Sequence, residues 1–274
     1  MMKMMINSAL TAVFVLSMVF LASCSSSSEG NGDGDLQLVW EDDFSGPIGQ
    51  LPDTSVWNFD IGTGWGNNQL EFDTDRPTNA SLDGQGNLLI IAREESFQGS
   101  NYTSARITTA NKFTKKFGRI EARIQLPWGQ GIWPAFWLLG ENFGSVGWPQ
   151  CGEIDIMEYR GQEPSIVHAT VHGPGYSAGG GVTRSYTLPN SRFDTGFHIF
   201  AIEWNENSID WYVDDKLYHR VTPDDVNGAW VFNQPFFIIL NVAVGGGYVG
   251  PPDATTVFPQ TMVIDYVRVY DKSS

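Results

Sequence analysis

Gly152-Glu153-Ile154-Asp155-Ile156-Met157-Glu158-Tyr159 places three carboxylates within six residues of an otherwise apolar stretch. On a helix, Glu153 and Asp155 would point about 200° apart and could not cooperate. On a strand, side chains repeat every two residues. Glu153 and Asp155 then share one face while Ile154 and Ile156 fill the other. Strict alternation would send Glu158 to the wrong face. One β-bulge near Ile156-Met157 resets the phase and returns Glu158 beside Asp155. The segment therefore reads as a bulged strand presenting Glu, Asp and Glu in a row.

Outward from that strand the chain keeps reading as β. Residues 118–126 alternate apolar and polar, the mark of a half-buried strand. Residues 200–204 and 209–213 flank 205–208, which reads as a hairpin. The apolar run 236–244 is stopped by Gly245-Gly246-Gly247 and reads as a strand buried on both faces. Residues 263–270 close the chain as another strand. Beyond residue 35 no stretch keeps a helical apolar period for three capped turns, and no repeat or linker is visible. The 274 residues, with 30 Gly and 14 Pro, suit one large all-β domain rather than a helical bundle. The expected fold is a two-sheet β-sandwich over residues 36–274.

Sixteen Lys and Arg stand against 31 Asp and Glu, a net charge of −15. Phosphate binding needs clustered cations, so nucleic acid is excluded as the main partner. The same field disfavours sulfated polymers.

Residues 1–23 read as an export signal: Lys3, then an apolar run from about 9 to 22, too short to span a bilayer comfortably. Leu21-Ala22-Ser23-Cys24 resembles the bacterial lipobox, which implies cleavage before Cys24 and its lipidation. An ordinary secretory signal with an incidental cysteine is the alternative. Residues 24–35, rich in Ser, Gly and Asp, cannot pack and read as a flexible tether. The chain is thus expected to be a monomer held to the membrane through Cys24, in the cell envelope outside the inner membrane. Loss of Lys3 leaves 15 − 31 = −16 on the mature chain. Cys151 has no internal partner for a disulfide. It reads as a small buried strand residue rather than a catalytic thiol.

Three readings compete for the acidic row. A solvated strand face fits poorly among Ile, Met and Trp. A metal site lacks the calcium-loop spacing and has no neighbouring His in sequence. Glycoside hydrolysis by a carboxylate pair needs one ionised and one protonated carboxyl, and a central Asp helps push their pKa values apart. The flanks favour the third. Residues 128–137, Trp-Gly-Gln-Gly-Ile-Trp-Pro-Ala-Phe-Trp, offer aromatic faces for sugar rings, Trp133 above Trp137. Trp204, Trp211 and Phe136 fit alternating strand patterns and read as core. Residues 64–71 place Trp65 and Asn68 in a loop suited to sugar hydroxyls. His168 and His172 lie on one strand face. His172 reads as a hydroxyl-binding or proton-sharing group, or as a merely satisfied polar residue.

With those residues quoted, the chain resembles glycoside hydrolase family 16, and within it the bacterial laminarinases, which are endo-1,3-β-glucanases. Glu153-Ile154-Asp155-Ile156-Met157-Glu158 matches the family's bulged active-site strand, and the likeness runs from Trp40-Glu41-Asp42-Asp43-Phe44 to residues 258–270. The resemblance implies a jelly-roll, concanavalin A-like sandwich with an open cleft. It implies retaining hydrolysis with Glu153 as nucleophile, Glu158 as acid/base and Asp155 as helper, and needs no catalytic cofactor. It also implies a structural calcium at Asp43, Gly86 and Asp265. The family includes mixed-linkage glucanases, agarases, carrageenases and porphyranases, and Asn67-Asn68-Gln69-Leu70-Glu71-Phe72 departs from the N-N-E-L-Q-Y wording of laminarinases. A surface lectin on the same sandwich is the non-enzymatic alternative. Such a binder has no use for two like charges in one cleft.

Overall fold

The computed structural model describes residues 36–272. The expected signal segment, Cys24 and the tether lie outside the described residues. The described chain is built from strands in the order β1 (Leu36–Asp42), β2 (Asn58–Asp60), β3 (Glu71–Asp73), β4 (Ala80–Leu82), β5 (Leu88–Phe97), β6 (Ser100–Ser104), β7 (Arg106–Thr108) and β8 (Gly118–Gln125). They continue as β9 (Ile132–Gly140), β10 (Glu153–Tyr159), β11 (Ile166–His172), β12 (Val182–Thr187), β13 (His198–Trp204), β14 (Ile209–Val213), β15 (Lys216–Val221), β16 (Phe236–Val244) and β17 (Gln260–Lys272). Helix among the described residues is confined to one α-turn at Phe143–Val146 and two short 3-10 segments.

Two sheets face each other and do not close into a barrel. One runs β15-β14-β13-β8-β17-β5-β6-β3, with β1 paired to β17 and β4 to β5. The other runs β12-β11-β10-β9-β16-β7-β2 and carries the acidic strand near its middle. This is the expected jelly-roll sandwich. Side chains from both inner faces form one core, with Ile154, Ile156, Phe136, Leu138 and Leu240 from one sheet meeting Ile120, Ile202, Trp211 and Val267 from the other.

The hairpin forms at 205–208, with Asn205 Oδ1 accepting from the Asn207 and Ser208 amides. Every residue of β16 is buried, as the unbroken apolar run requires. Alternation in β8 is less clean than its sequence, because Arg119 and Glu121 are also buried. They survive burial by pairing with each other at 2.7 Å, and Arg119 also pairs with Asp215 and Glu203. Trp204, Trp211 and Phe136 are core residues. Cys151 is buried, but it stands in the turn before β10 rather than in a strand. Burial holds its thiol up at about 11, which leaves no thiolate for catalysis.

Candidate active site

The pairing of β10 contains the anticipated irregularity. Against β11, Asp155 faces Thr170 and Glu158 faces His168, so two residues of β10 oppose Ala169 alone. Against β9 the register shifts between Asp155 and Met157. Ile154, Ile156, Met157 and Tyr159 enter the core. Glu153, Asp155 and Glu158 therefore share the outward face. A bulge disturbs the ladder, so its carbonyls need other partners. The Trp211 indole N–H, from the opposite sheet, donates to the Asp155 carbonyl oxygen at 2.9 Å and pins the bulge from beneath.

Each outer carboxylate has its own indole donor. Trp148 Nε1 donates to Glu153 Oε2 at 2.8 Å, and Trp133 Nε1 donates to Glu158 Oε1 at 3.1 Å. The β10–β11 register sets His172 opposite Glu153, with His172 Nε2 3.5 Å from Asp155 Oδ2. Tyr248, from the glycine-rich segment after β16, packs its ring 4.8 Å from that of Trp133 and carries the Arg160 guanidinium 4.2 Å from its centre. Gln130 and Gln162 hold that segment through the Val249 carbonyl.

These surroundings separate the two glutamates. Burial raises Glu153 to about 7, opposed by the Trp148 N–H and by Arg106. Burial raises Glu158 to about 8, with the Glu153 charge adding to it. Burial, then the charges of both glutamates, lifts Asp155 well above its ordinary value, which favours a protonated carboxyl able to donate to Glu153. Burial lowers His172 to about 4, leaving a neutral imidazole. The Trp148 N–H and Arg106 thus favour charge on Glu153, while a charge on Glu153 opposes one on Glu158. A site with these values suits a nucleophile beside a general acid.

A pH prediction follows from the two indole donors. Activity falls at low pH as Glu153 takes a proton and at high pH as Glu158 loses one. Trp148→Phe removes a bond that favours ionised Glu153, so the acid limb of kcat/KM should move to higher pH with the basic limb in place. Trp133→Phe should move only the basic limb, also upward. pH–rate profiles of the two variants check this, and an unmoved acid limb in Trp148→Phe refutes it.

The remaining sequence candidates are distributed as follows. Trp133 is only 8% exposed, and its indole N–H holds Glu158. Trp137 lies opposite Asp155 on β9 and donates to Asn241 Oδ1 at 2.8 Å. The Arg106 guanidinium lies over both the Trp137 and Trp65 rings, at 4.8 and 5.2 Å, and is ion-paired to Asp60. Asn68 is exposed in the loop before β3 with a left-handed backbone, φ 57°. The sequence reading missed Trp148, Tyr248, Arg106 and Asn241. Trp148 had a local signal, an indole five residues before Glu153 beside Pro149. It also missed a second buried acidic pair: Glu71 accepts from the Val244 amide and is raised to about 7 by burial, with Asp73 raised beside it.

Asp43 follows β1, Gly86 lies between β4 and β5, and Asp265 sits in β17; these strands belong to the sheet that does not carry β10. At Gly86 φ is +86°, and a Cβ would stand 3.6 Å from the Asp43 carbonyl oxygen, so the two segments approach closely. Asp265 gives one carboxylate oxygen to Arg123. Carbonyl and carboxylate oxygens are the donor types calcium takes.

A sequence profile of the glycosyl hydrolases of family 16 matches residues 60–268. The chain is 41% identical over 272 residues to a beta-glucanase of Rhodothermus marinus, covering 94% of this chain and 93% of that one. It is 41% identical over 253 residues to a glucan endo-1,3-beta-glucosidase of Cryptopygus antarcticus, covering 84% and 90%. Among solved structures, the laminarinase catalytic domain of Thermotoga maritima superposes with a TM-score of 0.83 at 50% identity, covering 88% of this chain and 100% of that one.

Proposed function

The chain belongs to glycosyl hydrolase family 16, and on that premise we propose that it cuts β-1,3-glucan internally with retention of the β configuration. The observation that carries this reading is the bulged row of Glu153, Asp155 and Glu158 with a separate indole donor on each outer carboxylate. Names of close relatives, a beta-glucanase and glucan endo-1,3-beta-glucosidases, support the substrate class.

In this reading ionised Glu153 attacks the anomeric carbon while Glu158 protonates the departing glycosidic oxygen. A covalent glycosyl ester forms on Glu153. The ester carries no charge, so the repulsion that raised Glu158 disappears and its pKa falls. Glu158 is then suited to take a proton from the incoming water. Two inversions restore the β configuration. Asp155, holding its proton, hydrogen-bonds Glu153 and steadies it as a leaving group in the second step.

The test is parallel digestion of laminarin, barley mixed-linkage glucan, agarose and carrageenan. Laminarin should release reducing sugar fastest, and the viscosity of a long β-1,3-glucan should fall before much reducing sugar appears. Proton NMR should show the β anomer first. Steady glucose release with slow viscosity loss would mean end-directed cutting, and an initial α product would reject retention.

Asp43, Gly86 and Asp265 would hold a calcium ion on the far sheet, where it would brace the fold and not polarise the scissile oxygen. An ion that binds only the folded state stabilises it by linkage. Chelation should lower the melting temperature and leave low-temperature initial rates unchanged; equal loss of both would contradict this. We also propose a monomer anchored through lipidated Cys24 outside the inner membrane. An unmodified Cys24 in the mature protein by mass spectrometry would overturn the anchor.

A further inference from the structure

Three donor atoms converge at the Glu153 end of the acidic row. His172 Nε2 lies 3.7 Å from Glu153 Oε1 and 3.5 Å from Asp155 Oδ2, and all three residues offer ligand atoms within 4.8 Å of one another. A tetrahedral cation with bonds of about 2.0–2.1 Å to nitrogen and oxygen spaces its ligand atoms about 3.3–3.4 Å apart. Both distances from the imidazole come within a few tenths of an ångström of that edge.

The Asp155 oxygen is also free to bind. Asp155 is 3% exposed, and its Oδ2 is buried with no hydrogen-bond partner. Trp148 holds Glu153 by Oε2, which leaves Oε1 toward the imidazole. The ligand set is one nitrogen and two carboxylate oxygens. Zinc-class cations accept that mixture, whereas magnesium and calcium prefer all-oxygen shells.

We propose that Glu153, Asp155 and His172 form a reversible inhibitory site for a zinc-class divalent cation, whose binding switches hydrolysis off. The bound cation would take the Glu153 lone pair that must attack the sugar. It would also turn the Asp155 carboxyl from a hydrogen-bond donor into a ligand. Resident metal sites fix the second nitrogen of their histidines with a hydrogen bond, which orients the ring and strengthens the ligand. Here His172 Nδ1 is buried without a partner. Gly181 accounts for this: a Cβ there would stand 2.4 Å from His172 Cε1 and 2.5 Å from Nδ1, so bare backbone packs against that ring edge. A site lacking this outer support binds weakly and lets go, as an inhibitor site should.

The test is isothermal titration of the full chain with zinc chloride, compared with magnesium chloride. Wild-type protein should bind one zinc ion, and laminarin hydrolysis should fall along the same isotherm, while magnesium does neither. His172→Gln should weaken zinc binding by more than the roughly 10–100-fold that losing an outer-shell partner costs. Asp155→Asn should weaken it likewise, which keeps the test decisive if one variant does not fold. Zinc affinity unchanged in both variants would place the ion on the acidic surface and overturn the proposal, as would no binding at millimolar zinc. Calorimetry needs no substrate, so this result is separate from the β-1,3-glucan reading.

Discussion

Glu153→Gln should lower kcat on β-1,3-glucan by roughly 10⁴-fold or more, the scale on which a covalent mechanism loses its nucleophile. The amide keeps the size of the side chain and can still accept from the Trp148 indole, so glucan affinity should stay within a few-fold of wild type. Stability should move the other way. Glu153 is raised from 4.5 to about 7 in the folded protein, chiefly by burial. The stability conferred by that retained proton is complete below the unfolded value and is lost as pH rises through about 7. Above it, the fold carries a buried charge that glutamine lacks. The variant should therefore melt higher than wild type at pH 8 and show little difference at pH 4. Turnover and thermal melts at the two pH values check both halves. Wild-type turnover in this variant would remove Glu153 from the mechanism.

Glu158→Gln should be the next largest loss, roughly 10²–10⁴-fold, the range of general acid–base catalysis. Unlike the nucleophile variant, it should depend on the leaving group. An aryl β-glucoside of a laminari-oligosaccharide departs as a weakly basic phenolate and needs little acid help, so its first step should survive. The second step still wants a base, so a covalent intermediate should accumulate on Glu153 and be visible by mass spectrometry. Small nucleophiles such as azide need no base and should rescue turnover. The high-pH limb, which Glu158 sets by ionising at about 8, should vanish from the profile. Equal losses on natural and aryl substrates, with no azide rescue, would show that Glu158 is not the acid/base.

Trp211 and Trp133 separate what is legible along the chain from what is not. Trp211 alternates with polar neighbours, and its burial follows from that local pattern. Its bond to the Asp155 carbonyl does not, because it crosses the sandwich to a residue 56 positions away. Trp133 sits in a loop-like, glycine-flanked run that suggested an open stacking face. The structure instead places it in β9, packed against Tyr248 and bonded to Glu158. Tyr248 lies well over a hundred residues further on, and nothing near Trp133 announces it.

The sequence alone settled that residues 153–159 form a strand, where its phase breaks, and that three carboxylates share a face. Those facts depend on backbone periodicity and on which neighbours are apolar, and both are local. The all-β character and the acidic balance were equally legible. Tertiary structure decided what acts on each carboxylate. Burial raises all three, Trp148 and Arg106 favour charge on Glu153, and the Glu153 charge disfavours one on Glu158. It also decided that His172 faces Glu153, because the register of β10 on β11 is set by pairing across a loop. Electrostatic interaction depends on separation in space and on the exclusion of water. Neither quantity is encoded in spacing along the chain.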